Sequence, residues 1–323
     1  MKSLREDDHS GFDRPRRRTR PRTKERPDYS SLPEARVISI DRGRYRCVLD
    51  GRPVTAVRGR LIDRKGVLVG DRVRLDGDSS GEEGTLSRIV EVLERTTVLR
   101  RSADDTDTFE RPIVANADQL FIVTALADPQ PRMGMIDRIL VAAFDARIEP
   151  ILCLTKADLA SPDELRAAYE PLGVPILVTD PGADLGLIRD ALADRVTVFI
   201  GHSGVGKSTL VNRLIPGAGR VTAEVSEVTG KGRHTSTSAV AMELPGGGWI
   251  IDTPGVRSFG ISHVQPASII GAFPDLEKLA EDCPRGCRHE TGAIECALDD
   301  AVAAGRLAPE RLASFRRMSD TYI

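Results

Sequence analysis

At 323 residues the chain has room for two or three domains, and its abundance of Val, Leu and Ile over a 4% aromatic content suits an α/β protein. No apolar run approaches the roughly 18 residues a membrane-spanning helix needs, and the polar N-terminus lacks a signal-peptide core. Neither a membrane-spanning helix nor a secretory leader is expected, and a cytoplasmic protein is. The net charge of −2 hides an asymmetry: residues 1–101 carry 25 Lys+Arg against 17 Asp+Glu, a balance of +8, and the remainder carries −10. A basic front on an acidic body points to a polyanion partner for the front.

The first segment, 1–34, reads as disordered. Arg14 to Arg26 holds eight basic residues and one acid, interrupted by Pro15 and Pro21, and such a stretch cannot bury enough apolar surface to offset its ordering entropy. It is either a solvated tail or an arm that neutralises phosphates. From 35 to 100, β-type runs at Arg36–Ile40, Tyr45–Leu49, Val54–Val57, Asp71–Leu75 and Thr85–Val92 alternate with the turn signals Asp50-Gly51, Asp76-Gly77 and Gly81. Five short strands in this length fit an OB-type β-barrel, a fold that often binds RNA, and its excess of arginine favours that use over a ligand-free β domain.

From Asn116 strands and helices alternate. Strands are expected at Asp118–Thr124, Pro150–Leu154, Pro175–Thr179, Arg195–Ile200 and Trp249–Asp252, with helices at Met135–Ala146, Pro162–Tyr169 and Lys207–Leu214. That texture is a parallel sheet covered by helices. The strand ending at Ile200 feeds Gly201-His202-Ser203-Gly204-Val205-Gly206-Lys207-Ser208-Thr209, a phosphate loop. Its backbone N–H groups and the positive end of the following helix suit the α- and β-phosphates of a nucleotide. Lys207 reaches the β- and γ-phosphates, and Ser208 ligates Mg²⁺. His202 belongs to the loop by position, with its side chain expected to point away from the phosphates.

A phosphate loop does not choose between ATP and GTP; Thr155-Lys156-Ala157-Asp158 at a strand end does. Asp158 can accept two hydrogen bonds from the N–H edge of guanine, and Lys156 can pack its stem along the base. Adenine has no such donor pair, so the site rejects it. Asp252, ending the strand before Thr253-Pro254-Gly255, is expected to hold Mg²⁺ through water, with the Gly255 N–H meeting the γ-phosphate. Val256 stands where many GTPases place a water-orienting Gln, so the hydrolytic group must come from elsewhere. In the glycine-rich stretch Gly230–Thr237, Thr235 is the natural γ-phosphate-sensing Mg²⁺ ligand. His234 beside it is either a water-orienting group or an exposed loop histidine.

The order of these parts is permuted: the guanine-reading tetrapeptide precedes the phosphate loop, which precedes Asp252–Gly255. With the barrel in front, Gly232-Arg233-His234-Thr235 between, and cysteines behind, the chain from about Ala35 resembles the circularly permuted, small-ribosomal-subunit-dependent GTPase A family of bacteria. That resemblance implies a slow GTPase (GTP and water to GDP and phosphate) stimulated by the 30S subunit late in its maturation, with rRNA as partner. It also implies a monomer and His234 as the catalytic residue, beside Lys207 and Thr235. Two departures stand out. The guanine-supporting Ser-Ala element reads Thr179-Asp180-Pro181-Gly182, and the gaps in Cys283…Cys287-Arg-His289…Cys296 differ from the family pattern. Three cysteines and a histidine within 14 residues still suit a closed, structural tetrahedral Zn²⁺ site, rather than three reduced thiols and a surface histidine. The expected organisation is therefore a basic arm (1–34), an OB-type barrel (35–100), a permuted P-loop GTPase domain (101–260) and a zinc-binding helical domain (261–323). The rivals are a permuted GTPase serving the large subunit or another RNA, and a non-enzymatic RNA-binding module that holds GTP as a structural ligand.

Overall fold

The computed structural model describes residues 28–63, 66–102, 111–218, 239–253, 259–261, 264 and 269–320. The basic run Arg14–Arg26, His234, Thr235, Gly255 and Val256 lie outside these residues.

Five strands open the chain: β1 (Glu34–Asp41), β2 (Arg44–Leu49), β3 (Arg52–Arg58), β4 (Arg72–Gly77) and β5 (Ser87–Val92). They run β1-β2-β3-β5-β4 and close through β1–β4, which pair Ala35 with Val73, while β3 and β5 pair in parallel. This is a closed OB-like barrel. Closure requires β1 to serve two neighbours, and a bulge between Val37 and Ser39 bends it to do so. Alternate residues point inward, so Ala35, Val37, Tyr45, Cys47, Leu49, Val54, Ala56, Val73, Leu75 and Ile89 fill the barrel. The arginines of the same strands stay on the outside.

A short ribbon, β6 (Val98–Arg101) with β7 (Arg111–Ala115), follows. Next come β8 (Gln119–Ala125), α1 (Met133–Asp145), β9 (Glu149–Thr155), α2 (Asp163–Tyr169), β10 (Ile176–Val178), α3 (Gly186–Leu192), β11 (Val196–Gly201), α4 (Lys207–Leu214), β12 (Val240–Glu243) and β13 (Trp249–Asp252). The strand order is β10-β9-β8-β11-β13-β12, parallel except for β12. Buried on both faces, the central strands are mostly apolar, and the buried Thr197 hydroxyl donates to the Gln119 side chain at 3.0 Å. Leu120, Ile122, Leu152, Leu154 and Ile200 pack under α1 and α2, whereas Phe121, Val123, Ile151, Cys153 and Phe199 pack under α3 and α4. Phe121 and Phe199 stack with ring centroids 4.7 Å apart.

Sequence periodicity finds the barrel and the long strands but misses β6, β7, α3 and β12. The ribbon strands carry three arginines among nine residues, α3 begins on a glycine, and β12 is four residues long. None of these offers a full apolar repeat. β12 has a structural consequence: Val240 pairs with Ser39 of β1, so barrel and parallel sheet form one continuous eleven-stranded sheet.

The C-terminal region holds α5 (Pro274–Ala280), α6 (Ala297–Ala303) and α7 (Pro309–Asp320). Phe273, Leu276, Leu298, Leu312, Phe315 and Met318 share one core with α1. Phe273 meets Phe144 of α1 and Phe315 of α7 edge-on, at 4.9 and 5.6 Å. Among the described residues no helix is long and apolar enough to cross a membrane.

Candidate active site and metal centre

The C-terminal ends of β9, β11 and β13 converge because their strands are neighbours or next neighbours in a parallel sheet, where ligands bind beyond the carboxyl ends. β11 ends at Gly201, in register with Val123 of β8, and the chain turns through His202–Gly206 into α4. Gly204 and Gly206 adopt φ of +85° and +88°, conformations open to glycine and costly for L side chains. Gly206 is the N-cap of α4, so the loop runs directly into the helix N-terminus. Ser203, Ser208 and Thr209 are exposed there and Val205 is buried beneath. The His202 imidazole turns back toward the Ser203 carbonyl, 2.9 Å from Nδ1.

Lys207, the first residue of α4, is buried. Its ammonium pairs with the Asp252 carboxylate and donates to the Thr253 carbonyl at 2.6 Å. Thr253 is itself fixed by its hydroxyl, which donates to the Phe199 carbonyl at 2.7 Å. The end of β13 is thus tied to β11 and to the phosphate-loop lysine.

On the other side, Thr155 is buried and its hydroxyl donates to the Val205 carbonyl at 2.6 Å. Lys156 takes a left-handed φ of +59° and its ammonium donates to the Asp128 carbonyl in the loop after β8. The Ala157 N–H donates to the Thr179 carbonyl at 3.3 Å, and Asp158 is exposed, its carboxylate open to solvent. Sequence reasoning missed the Thr253 and Asp128 contacts because both use backbone carbonyls, which leave no side-chain signature.

Cys283, Cys287, His289 and Cys296 bring their ligand atoms within 4.8 Å of one another. His289 Nδ1 lies 3.5, 3.6 and 3.8 Å from the sulfurs of Cys283, Cys287 and Cys296. Zn–S and Zn–N bonds of about 2.3 and 2.05 Å at a tetrahedral angle require an S···N edge of about 3.6 Å, so the donor set fits Zn²⁺. With four protein ligands no open position remains, as in a structural site. Two backbone N–H groups point at sulfurs: Ala297 at Cys283 (3.3 Å) and His289 at Cys287 (3.4 Å). Burial, with the neighbouring thiols adding to it, pushes the Cys283 thiol up to about 11. Gathering the sulfurs is unfavourable until a cation offsets their charge. The sequence motif did not reveal Arg316, whose guanidinium touches the Cys296 sulfur at 3.8 Å and donates to the His289 carbonyl at 2.8 Å. The same group forks onto Asp299 at 2.7 Å. Cys47 and Cys153 are buried far from this cluster in sequence and fold, and burial pushes each up to about 12, which makes them inert packing residues.

Comparison with known proteins agrees with this architecture. The profile of the RsgA GTPase family matches residues 92–262, more than half of the chain. A protein named small ribosomal subunit biogenesis GTPase RsgA from Azotobacter vinelandii is 44% identical over 217 residues, 64% of this chain and 63% of the relative. A protein of the same name from Pseudomonas aeruginosa is 40% identical over 248 residues, 74% of this chain and 72% of the relative. The crystal structure of YjeQ from Thermotoga maritima superposes with a TM-score of 0.66 at 26% identity, covering 90% of this chain and 98% of that one. The structure of YloQ, a circularly permuted GTPase, superposes with a TM-score of 0.64 at 26% identity, covering 92% and 97%.

Proposed function

The chain belongs to the RsgA GTPase family, and from that premise we propose that it hydrolyses GTP to GDP and phosphate in the late maturation of the small ribosomal subunit, bound to that subunit's rRNA and stimulated by it. The observation that carries this reading is the convergence of three segments, far apart and permuted in sequence, at the carboxyl ends of neighbouring parallel strands. Thr155 is bonded to the phosphate loop at Val205, and Lys207 to Asp252 and Thr253.

In this mechanism Asp158 accepts from the guanine N–H edge, and Lys156 lines the base. The N–H groups of Gly201–Thr209 and the Lys207 ammonium bind the phosphate oxygens. Mg²⁺, when bound, neutralises charge on the β- and γ-phosphate oxygens; Ser208, Asp252 and Thr235 are the residues that would hold it. Lys207 then exchanges its Asp252 and Thr253 partners for phosphate oxygens, which couples phosphate occupancy to the end of β13. Gly255 meets the γ-phosphate, and His234 orients the attacking water in place of the Gln that Val256 replaces. The functional units are the arm 1–34, the barrel 35–100, the GTPase domain 101–260 and the zinc domain 261–323. The Ser39–Val240 pairing supports a direct mechanical link from nucleotide to barrel, because β12 lies between the segment carrying Thr235 and the strand ending at Asp252. The protein acts as a cytoplasmic monomer.

The deciding experiment is GTP turnover with and without purified 30S subunits, beside 50S subunits as control. Strong stimulation by 30S alone is expected. No stimulation, or equal stimulation by 50S, would sink the proposal.

A further inference from the structure

The loop after β10 stands where the family carries a Ser-Ala element and here reads Thr179-Asp180-Pro181-Gly182. Thr179 keeps the hydroxyl of the Ser, Asp180 stands in place of the Ala, and the backbone is held from two directions. The Thr179 carbonyl accepts the Ala157 N–H at 3.3 Å, and the Thr179 N–H donates to the Leu154 carbonyl at 2.8 Å, which sets the loop in register with Thr155–Asp158. From the opposite side Arg213, on the last turn of α4, spreads its guanidinium over two carbonyls. One nitrogen donates to Asp180 at 2.9 Å and the other to Ala183. A planar fork suits two carbonyls of one turn as a lysine ammonium does not.

Within the loop, the Gly182 N–H is taken by the Asp180 carboxylate at 2.7 Å and the Ala183 N–H by the Asp180 carbonyl at 3.3 Å, and Pro181 has none. Among the described residues, the N–H of Asp180 is left without an acceptor in this loop. It belongs to the peptide whose carbonyl binds Ala157, next to the guanine-reading aspartate. The helix that supplies Arg213 is the one whose first turn carries Lys207 and Ser208. Phosphate end and base end of the site are therefore joined through one arginine.

We propose that Arg213 is a specificity-positioning residue: by clamping the Asp180 and Ala183 carbonyls it holds the Asp180 N–H where it donates to O6 of guanine, the edge that Asp158 does not read. This rests on the guanine-nucleotide reading of the site. Arg213 touches no nucleotide itself; it fixes a donor that a loose Pro-Gly loop would present poorly. Removing one well-placed hydrogen bond costs about fivefold to tenfold in affinity.

The test uses the full chain and its Arg213→Met variant, which keeps the apolar stem and removes the fork, with Arg213→Lys as the milder change. Each is titrated with GDP, 6-thio-GDP (a poor acceptor at position 6, with the N1 and N2 donors intact), IDP (no N2 amine) and ADP. Melting curves establish that each variant is folded. The wild type should prefer GDP over 6-thio-GDP. In Arg213→Met, GDP affinity should fall about fivefold to tenfold with that preference lost, while the GDP-to-IDP ratio, which reports Asp158, stays unchanged. Arg213→Lys, able to reach one carbonyl, should fall between and provides the reading if Arg213→Met does not fold. An equal loss for GDP, 6-thio-GDP and IDP would mean general loosening and overturn the proposal. So would unchanged binding in the variants, or a wild type indifferent to the sulfur. A wild type that fails to prefer GDP over ADP would instead refute the guanine site itself.

Discussion

The Thr155 hydroxyl donates to the Val205 carbonyl at 2.6 Å, across fifty residues of chain, and so welds the turn Thr155–Asp158 to the loop Gly201–Thr209. Both residues are buried. Thr155→Val keeps the shape and leaves the carbonyl unsatisfied, a loss of about 1–3 kcal/mol in stability. GDP affinity should fall as well, because two halves of one site no longer share a fixed separation. Thr155→Ser restores the bond and should recover both. Urea unfolding and nucleotide titration of the three proteins check this; a Thr155→Val protein matching wild type in both would remove the weld.

A second tie binds the C-terminal helix to the GTPase core. Arg317 of α7 reaches the buried Asp137 of α1 at 3.2 and 3.3 Å, donates to the Ala168 carbonyl at 3.0 Å and lies 4.6 Å over the Tyr169 ring. Arg317→Met strips the partner from a buried carboxylate, which costs about 3 kcal/mol. Burial already holds the Asp137 carboxyl above its ordinary value despite Arg317, so the charged form is the costly one in the folded protein. The penalty should be full at neutral pH and shrink as pH falls through the carboxylate range, where the folded protein takes up its proton first. Urea unfolding at pH 7 and pH 5 measures the difference. A pH-independent loss would show that Asp137 is not the source.

What the sequence made legible follows from which interactions use side chains in a pattern. The barrel strands alternate, the central strands are largely apolar runs, and the loop Gly201–Thr209 has fixed glycines, so these elements emerge at nearly their observed bounds. The contacts that organise the site do not emerge. Lys207 is bound by the Thr253 carbonyl, Lys156 by the Asp128 carbonyl and Arg213 by two more, and a carbonyl carries no residue identity. Arg316 and Arg317 are adjacent in sequence, yet one turns to the cysteine cluster and the other to α1. Only the packing of α7 between the two separates them.

Three thiolates and a neutral imidazole around Zn²⁺ leave one negative charge, which the Arg316 guanidinium at the Cys296 sulfur opposes. Cys287→Ser should lose the metal and loosen the C-terminal helices. Arg316→Met should retain zinc but yield it to a chelator about 10–100-fold more readily. Elemental analysis of the purified protein and competition with a chromogenic chelator measure both. A wild type without zinc ends the metal assignment, and an Arg316→Met protein with unchanged zinc retention ends the role of Arg316.

Asp158 is exposed beyond the end of β9 with its carboxylate open to solvent, which suits an acceptor pair offered to a base. Asp158→Asn replaces one acceptor with a donor, so guanine's N–H edge meets repulsion and the C2 carbonyl of xanthine finds a partner. GTP affinity should drop by about 10²-fold or more while XTP affinity rises. Competition of GTP and XTP against a fluorescent guanine nucleotide decides it, and an unchanged preference for GTP would take Asp158 out of base recognition.

His234 makes the sharpest claim on mechanism, since a valine side chain at 256 has no polar atom to orient water, and Lys207, Asp252 and Thr253 are bonded to one another. If His234 orients the water, His234→Ala should leave GTP and GDP affinities at wild-type values and abolish the 30S-stimulated turnover, a loss of about 10²-fold or more in kcat with little change in KM. His234→Gln, which keeps a hydrogen-bonding group able to hold water, should retain part of the rate. Single-turnover hydrolysis on saturating 30S subunits separates the chemical step from product release. Equal single-turnover rates for wild type and His234→Ala would place the water-orienting group elsewhere, on the subunit itself.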